Sequence, residues 1–502
     1  MADVTPPTRL RGADMVGQPQ AQSTGSARLG EFGILLGGQI LKTGNTFEVK
    51  SPFDGALVAV VHRAGPAEIE RAIADATKAF AVTRKIPSWK RAQILQAIAA
   101  KIGERREELA QTIALEAGKP IKTARIEVDR AMFTFAIAAE ETKRIYGEIV
   151  PLDWLPGLER REAHVRRVPL GPVAGITPFN FPLNLVSHKV APALAAGNPV
   201  IIRPATQTPV SAIKLGQIAV EASWPKGAYA VVPSTTKDAA PLVEDERIKI
   251  LSFTGSPAVG WDLKRRCGRK RITLELGGNA PVIVHKDADV AYAAERVAWG
   301  GFSYAGQSCI SAQRIYVHED VYGEFSAELV RRVKALKAGD PLSEESDLGP
   351  VIDGVAADRI EEWVEEAKAA GAKVLAGGTR QGSVWQPTIL ESAPASARVN
   401  CQEVFAPVVT LQKYRDLNDA IAAATDSDYG LQAGLFTHDD RVIAQAVDAI
   451  DAGGIMVNDV SAFRVDHMPY GGVKHSGAGR EGLRYAIEEM TEMKLVVYNR
   501  QA

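Results

Sequence analysis

Four short stretches hold residues whose types and spacing suit chemistry on a carbonyl carbon. GQSCISAQR, residues 306–314, places Cys309 among small and polar neighbours. A lone cysteine is usually a small buried hydrophobe. Here Gly306, Gln307, Ser308 and Ser311 leave room for a substrate and let backbone N–H groups point at a developing oxyanion. That context favours a nucleophile on an open turn. TLELGGNAP, residues 273–281, sets Glu275 between Leu274 and Leu276. A carboxylate buried there is costly unless paired or protonated, and such burial lifts its pKa toward a general base's working range. The competing reading is a strand-end glutamate facing water. ITPFNFPLNLVSHK, residues 176–189, puts Asn180 between two aromatics, with Pro178 and Pro182 stiffening the turn. Asparagine at a strand-to-helix turn is either a helix cap or an amide donor aimed at an oxyanion. SFTGSPAVG, residues 252–260, brings Gly255, Ser256 and Gly260 to a turn ahead of a helix, where N–H groups can receive a phosphate. It lacks the G-x-G-x-x-G pattern, so alone it is a weak signal.

These stretches need elements to hold them. From Glu31 on, helical and strand patterns alternate. PAEIERAIADATKAFAV has apolar residues at helical spacing behind Pro66 at a first turn. RAQILQAIAAKIGERREELAQTIALEAGKP is a second helical stretch, broken near Gly103 and ended by Gly118–Pro120, and RAMFTFAIAAEETKRIYG is a third. VAGITPFN, PVIIRPA, YAVVPS, KILSFTGS and PVIVHK are short Val- and Ile-rich runs bounded by Pro, Gly or Ser, the mark of buried parallel strands. Alternation of this kind predicts a layered α/β fold. MKLVVYN, residues 493–499, is a strand without a sequential partner, which must pair with something distant or with another subunit.

The totals narrow the class. Cys267, Cys309 and Cys401 are the only 3 cysteines in 502 residues, which speaks for a reducing, cytoplasmic setting. They show no metal-ligand spacing, so no metal is expected. Lys+Arg 59 against Asp+Glu 60 gives no basic signature for nucleic acid, and no uncharged apolar run is long enough to cross a bilayer. Residues 1–30 read as a disordered tail. Its arginines raise a transit peptide, but Asp3, Asp14 and two prolines argue against one.

Together, and in this order, the four stretches resemble the aldehyde dehydrogenase superfamily. TLELGGNAP and GQSCISAQR match its two signature segments, at the family's glutamate–cysteine spacing. The likeness continues through CQEVFAPV (401–408) and MPYGGVKHSGAGREG (468–482), and it covers nearly everything from about residue 35 to the end. The resemblance implies a doubly wound cofactor domain (31–143 and 169–280), a catalytic α/β domain (281–484) and a bridging β oligomerisation segment (144–168 and 485–502). That segment would supply the partner of MKLVVYN in a homodimer or homotetramer. The implied reaction oxidises a small aldehyde with NAD(P)+. The Cys309 thiolate attacks, and Asn180 with the Cys309 N–H holds the oxyanion. Glu275 activates the water that hydrolyses the thioester, and Lys189 supports the proton relay. Glu403 would hold the nicotinamide ribose and Ser256 a phosphate, with Thr177, Pro178, Gly255, Gly277 and Phe405 completing the cofactor site.

Departures from the family's commonest pattern speak to specificity. At RPATQTP, residues 203–209, Arg203 stands for the usual lysine and Thr206 for the acid that grips the adenosine ribose. Losing that acid beside an arginine leans toward NADP+; the alternative is a neutral change with NAD+ still used. By similarity Asn184, His188, Arg130 and Arg464 line the substrate channel, where enzymes for apolar aldehydes carry apolar and aromatic residues. They favour a hydroxylated or anionic aldehyde, and within the family the chain resembles the lactaldehyde, phosphonoacetaldehyde and non-phosphorylating glyceraldehyde-3-phosphate dehydrogenases. The alternatives are a CoA-acylating enzyme, which Glu275 argues against, and a non-catalytic protein on the same fold.

Overall fold

Two parallel-cored sheets, each flanked by helices on both faces, position everything that follows. The computed structural model describes residues 26–500. Of the expected tail, residues 1–25 lie outside the described residues. Its last residues belong to the fold: Arg28 and Leu29 donate backbone hydrogen bonds to the carbonyls of Leu57 and Val58, and Gly30–Phe32 runs parallel to Leu57–His62.

The first sheet has eight strands. Its parallel core runs Arg271–Glu275, Ile250–Thr254, Val173–Ile176, Val200–Arg203, Tyr229–Val231. These are the Val- and Ile-rich runs, and both of their faces are buried. Val173, Val200, Ile202 and Val231 pack under helices Ser88–Glu104, Ile121–Thr142, Asn184–Ala196 and Val210–Glu221. Ala174, Ile201, Leu251 and Phe253 pack under Pro66–Thr83 and Pro257–Arg266. Strand order reverses between Val173–Ile176 and Ile250–Thr254. In such a sheet, ligands bind outside the carboxyl ends of the strands at that reversal. The segments after Ile176, Arg203, Thr254 and Glu275 all leave the sheet on that side.

The second sheet has seven strands, with Ala280–Val284, Ala312–His318 and Val408–Tyr414 at its centre. Gly277–Asn279 carries the chain from the last parallel strand of the first sheet directly into the second. The short strand Gly477–Ala478, expected in the catalytic half, pairs antiparallel with Leu274–Glu275 at the edge of the first sheet.

The helices follow their sequence signals. Pro66 opens Pro66–Thr83. The long second stretch breaks at Arg105 and ends on Gly118, whose φ of 66° suits a residue without Cβ. The third helix starts at Ile121, well ahead of the expected Arg130, right after Pro120. The tail strand Thr491–Asn499 finds the first of its two expected partners. It pairs antiparallel along its whole length with Arg161–Pro169 of its own chain, distant in sequence, and forms an edge of that three-stranded sheet. Among the described residues no helix is long and apolar enough to cross a membrane.

Candidate active site

Cys309 lies on a turn at the amino end of strand Ala312–His318. The turn is entered through Tyr304 (φ 50°) and Ala305 (φ 53°), left-handed conformations that side chains rarely adopt and that surrounding structure must enforce. Gly306 passes so close to the chain that a Cβ would stand 2.0 Å from the Ala406 carbonyl oxygen. A Cβ on Gly278 would stand 2.1 Å from the carbonyl oxygen of Cys309, so the second glycine of ELGG lets the two signature segments touch. The Cys309 Sγ is 3.0 Å from the Tyr470 hydroxyl. Burial pushes the thiol up to about 12, and the Tyr470 hydrogen bond opposes that only in part. The resting group is therefore a thiol, which needs a proton acceptor as it attacks.

Glu275 ends strand Arg271–Glu275, and both carboxyl oxygens are buried without a hydrogen-bond partner among the described residues. Burial, and next the charge of Glu481, hold its pKa well above the ordinary carboxylate range. That is the condition of a base poised to take a proton. Asn180 is buried; its amide N–H donates to the Gln307 carbonyl at 2.9 Å, which ties it to the cysteine turn. An amide nitrogen carries two hydrogens, so one donor remains for an oxyanion.

A buried ion pair that sequence reading passed over joins these two turns. The Glu127 carboxylate accepts from the backbone N–H groups of Leu183 (3.0 Å) and Asn184 (3.1 Å), capping the helix that follows Asn180, and it pairs with Lys119. The Lys119 ammonium lies 3.6 Å from the ring centre of Phe181 and 4.3 Å from that of Tyr304. Lys119 precedes helix Ile121–Thr142, so no helical spacing flagged the pair.

The four expected substrate residues do come together, but around two acids that were not expected. Asp466 accepts from Arg130 Nη2 (2.6 Å), His188 Nε2 (2.8 Å) and Asn184 Nδ2 (3.2 Å). Arg464 donates to Glu481 at 3.0 Å, stands 2.8 Å from His188 Nδ1 and lies 3.5 Å over the Tyr470 ring. Lys189 reaches Thr254 (2.7 Å), Ser252 (3.1 Å) and Glu481 (3.5 Å). Burial opposes ionisation of Asp466, yet the His188 hydrogen bond and Arg130 overcome it and hold its pKa far below the usual range. Glu481 is likewise held low, by Lys189, His188 and Arg464 against its burial. Both acids stand in segments already singled out, Asp466 two residues from Arg464 and Glu481 within GREG. The signal was an acid beside each cation.

On the other side of Cys309 lies a pocket of about 390 Å³ whose walls include Pro178, Asn180, Ser256, Glu275, Glu403 and Phe405. Glu403 keeps part of its surface open, but its carboxyl is recessed and burial lifts it to about 7; it accepts from the Gly278 N–H at 2.9 Å. A Cβ on Gly277 would stand 2.4 Å from that carboxylate. Phe405, at φ 52°, meets Phe179 edge-on. The glycine turn departs from expectation. The Gly255 N–H is spent on the Glu275 carbonyl (3.0 Å), and Gly260 is small because Leu276 packs against it, so the two do not form a phosphate nest. Ser256, at the head of Pro257–Arg266, makes no capping hydrogen bond. The Arg203 guanidinium reaches the Ser234 carbonyl (3.1 Å) and the Thr236 hydroxyl (3.4 Å), and Thr206 is exposed on the bend that follows. Arg203 Nε and the Thr177 hydroxyl are buried without partners among the described residues. An open pocket with orphaned polar atoms, outside the carboxyl ends of a doubly wound sheet, fits a dinucleotide.

Comparison with known proteins agrees with this geometry. Residues 40–496 match the model of the aldehyde dehydrogenase family. The 3-sulfolactaldehyde dehydrogenase of Priestia megaterium is 44% identical over 477 residues, covering 95% of this chain and 100% of that protein. The lactaldehyde dehydrogenase of Methanocaldococcus jannaschii is 39% identical, covering 90% and 97%. Among solved structures, aldehyde dehydrogenase 21 of Physcomitrella patens, in complex with the reaction product succinate, superposes with a TM-score of 0.92 at 43% identity, covering 94% of this chain and 98% of that one. Glyceraldehyde-3-phosphate dehydrogenase of Methanocaldococcus jannaschii, complexed with NADP, gives 0.87 at 39% identity, covering 90% and 99%.

Proposed function

The chain belongs to the aldehyde dehydrogenase family as an NAD(P)-dependent enzyme, and we propose that it oxidises a small hydroxylated or anionic aldehyde to the carboxylic acid through Cys309. The observation that carries this is the place of Cys309 between two unlike surroundings. It lines the open pocket on one side, and on the other its sulfur meets Tyr470, under Arg464 and the charged cluster.

Thr177, Pro178, Arg203, Thr206, Gly255, Ser256, Gly277, Glu403 and Phe405 would hold the dinucleotide. Bound there, NAD(P)+ supplies what the chain lacks, an acceptor for the hydride whose departure turns the Cys309-bound adduct into a thioester. The chain's own residues do the rest. The Cys309 sulfur bonds to the aldehyde carbon and gives up its proton to solvent in the open pocket it lines. The negative oxygen that forms is held by the free Asn180 N–H and the Cys309 backbone N–H. Glu275 takes a proton from the water that attacks the thioester; the acid leaves, and the departing Cys309 thiolate takes a proton back from solvent to restore the thiol. Lys189, bonded to Ser252 and Thr254 and near Glu481, would pass the proton from Glu275 outward. Glu275, unpartnered at this spot, favours hydrolysis over transfer to CoA. Arg203 beside Thr206 favours acceptance of a 2′-phosphate, hence NADP+. The names of the sulfolactaldehyde, lactaldehyde and glyceraldehyde-3-phosphate enzymes support a polar substrate. Met493, Leu495 and Val497, exposed along the edge strand, support a homodimer or homotetramer.

Purified protein incubated with polar and apolar aldehydes and NAD+ or NADP+, with and without CoA, tests the reading. Acid formed without CoA, fastest on polar aldehydes, is expected. Propanal and hexanal outrunning every polar aldehyde would overturn the substrate class, and acyl-CoA as the product would overturn hydrolysis.

A further inference from the structure

The charged cluster behind Tyr470 is, for the most part, already satisfied by itself. Three of the residues suited to a substrate's polar group, Arg130, Asn184 and His188, all donate to the one carboxylate of Asp466, which is 2% exposed. Arg464 is different. One nitrogen, Nη2, serves Glu481 and His188, while its Nε is buried without a partner among the described residues. Arg464 also reaches toward the chemistry, stacked on the ring whose hydroxyl touches Cys309. A buried donor left unpaired is costly, which makes this nitrogen the place for an acceptor brought in from outside.

We propose that Asp466 determines the charge class of the substrate. By occupying Arg130, His188 and Asn184 it leaves a donor of Arg464 to receive the substituent, so the site takes a singly charged anion, a sulfonate or carboxylate, in preference to a phosphate dianion. This rests on the proposed oxidation of a polar aldehyde. A sulfonate or carboxylate brings one negative charge, and one charge-assisted contact answers it. A phosphate monoester brings about 1.5–2 charges at neutral pH. It would stand beside two carboxylates, Asp466 and Glu481, that their partners keep ionised, and Asp466 already draws on three of the side chains that could answer a second charge.

The test compares kcat/KM for 3-sulfolactaldehyde and glyceraldehyde 3-phosphate, each normalised to lactaldehyde, in the wild type and in Asp466→Asn. The wild type is expected to prefer the sulfonate by about tenfold or more, the worth of one charge-assisted hydrogen bond. Asp466→Asn, which removes the competing charge and loosens Arg130, is expected to raise the phosphate-to-sulfonate ratio by about tenfold. A wild type that handles the phosphate as well as the sulfonate overturns the proposal, and so does a folded Asp466→Asn with an unmoved ratio. If that variant fails to melt cooperatively, the wild-type ratio alone decides. Failure to oxidise any of the three would instead sink the oxidation reading itself, a distinct result.

Discussion

The two sides of Cys309 are built on opposite plans. The proposed cofactor side is a cavity of about 390 Å³ with polar atoms left unpaired among the described residues, including both Glu275 oxygens and Asn180 Oδ1. Glycines 277 and 278 let backbone and carboxylate approach within it. The far side is filled. Arg130, Asn184, His188, Lys189 and Arg464 are bound to Asp466 or Glu481, and those acids are ionised because of it. The open side is suited to a large group that brings its own donors and acceptors. The filled side, with Arg464 Nε left unpaired among the described residues, is suited to a small one that brings an acceptor. On the proposed mechanism Cys309 faces a general cofactor site and a selective substrate site, and each should be alterable without the other.

The sharpest way to break that picture is at the shared atom. Cys309→Ala should abolish oxidation while NAD(P)+ binding, followed by calorimetry, persists, because the pocket loses only one wall atom. Near-normal turnover would show that neither side meets at Cys309. Glu275→Gln should act next most strongly, lowering steady-state turnover by about 10²–10⁴-fold, the usual worth of a positioned base. Because the base is needed for hydrolysis more than for attack, a fast burst of NAD(P)H should precede the slow phase. A variant with neither burst nor slowing would remove Glu275 from deacylation.

Lys119→Met probes the bolt between the sides. It leaves Glu127 buried with only two backbone donors, and breaking a buried pair in this way costs about 3–5 kcal/mol. A melting temperature within a degree or two of wild type would mean the pair does not hold the Asn180 and Cys309 turns together.

The open side was largely legible in the sequence, for physical reasons. Buried parallel strands need unbroken apolar runs, so VIIR, YAV and ILSFT announced themselves, and the residues that follow such strands face the crevice. Glu275 stood out as a charge inside such a run. What Gly255 does was not legible. Its N–H is taken by the Glu275 carbonyl across two strands, and pairing between strands is not written in local spacing. The filled side was legible in its cations and not in its acids. Asn184 and His188 share a helix face, so spacing put them together. Asp466 and Glu481 arrive on loops from far along the chain, and Lys119 meets Glu127 off any common helix. Only the folded chain brings these partners into reach.

Arg464→Ala sharpens the comparison from the filled side. Losing one charge-assisted bond, about 1.5–3 kcal/mol, should lower kcat/KM for carboxylated, sulfonated or hydroxylated aldehydes by about 10–150-fold. Propanal should fall much less. An equal fall for both classes would make Arg464 a support for Tyr470 and not a substrate contact.

The smallest expected effect lies beyond the open pocket, where the adenosine ribose of the proposed cofactor would rest. Thr206 is exposed on the bend after strand Val200–Arg203, and Arg203, at that strand's end, holds its guanidinium toward Ser234 and Thr236. A carboxylate at 206 would accept from the ribose hydroxyls of NAD+ and repel a 2′-phosphate, as the acid of dinucleotide folds does. Thr206→Glu should therefore move the NADP+/NAD+ ratio of kcat/KM toward NAD+ by about tenfold, the effect of roughly 1.4 kcal/mol. The charge is exposed and screened, which is why more is not expected. Selectivity between sulfonated and phosphorylated aldehydes should not move at all, since the filled side lies beyond Cys309. A changed cofactor ratio with unchanged aldehyde selectivity is what two independent sides require. A shift in both would mean the sides are coupled through the cysteine turn, and a shift in neither would place the adenosine ribose away from residue 206.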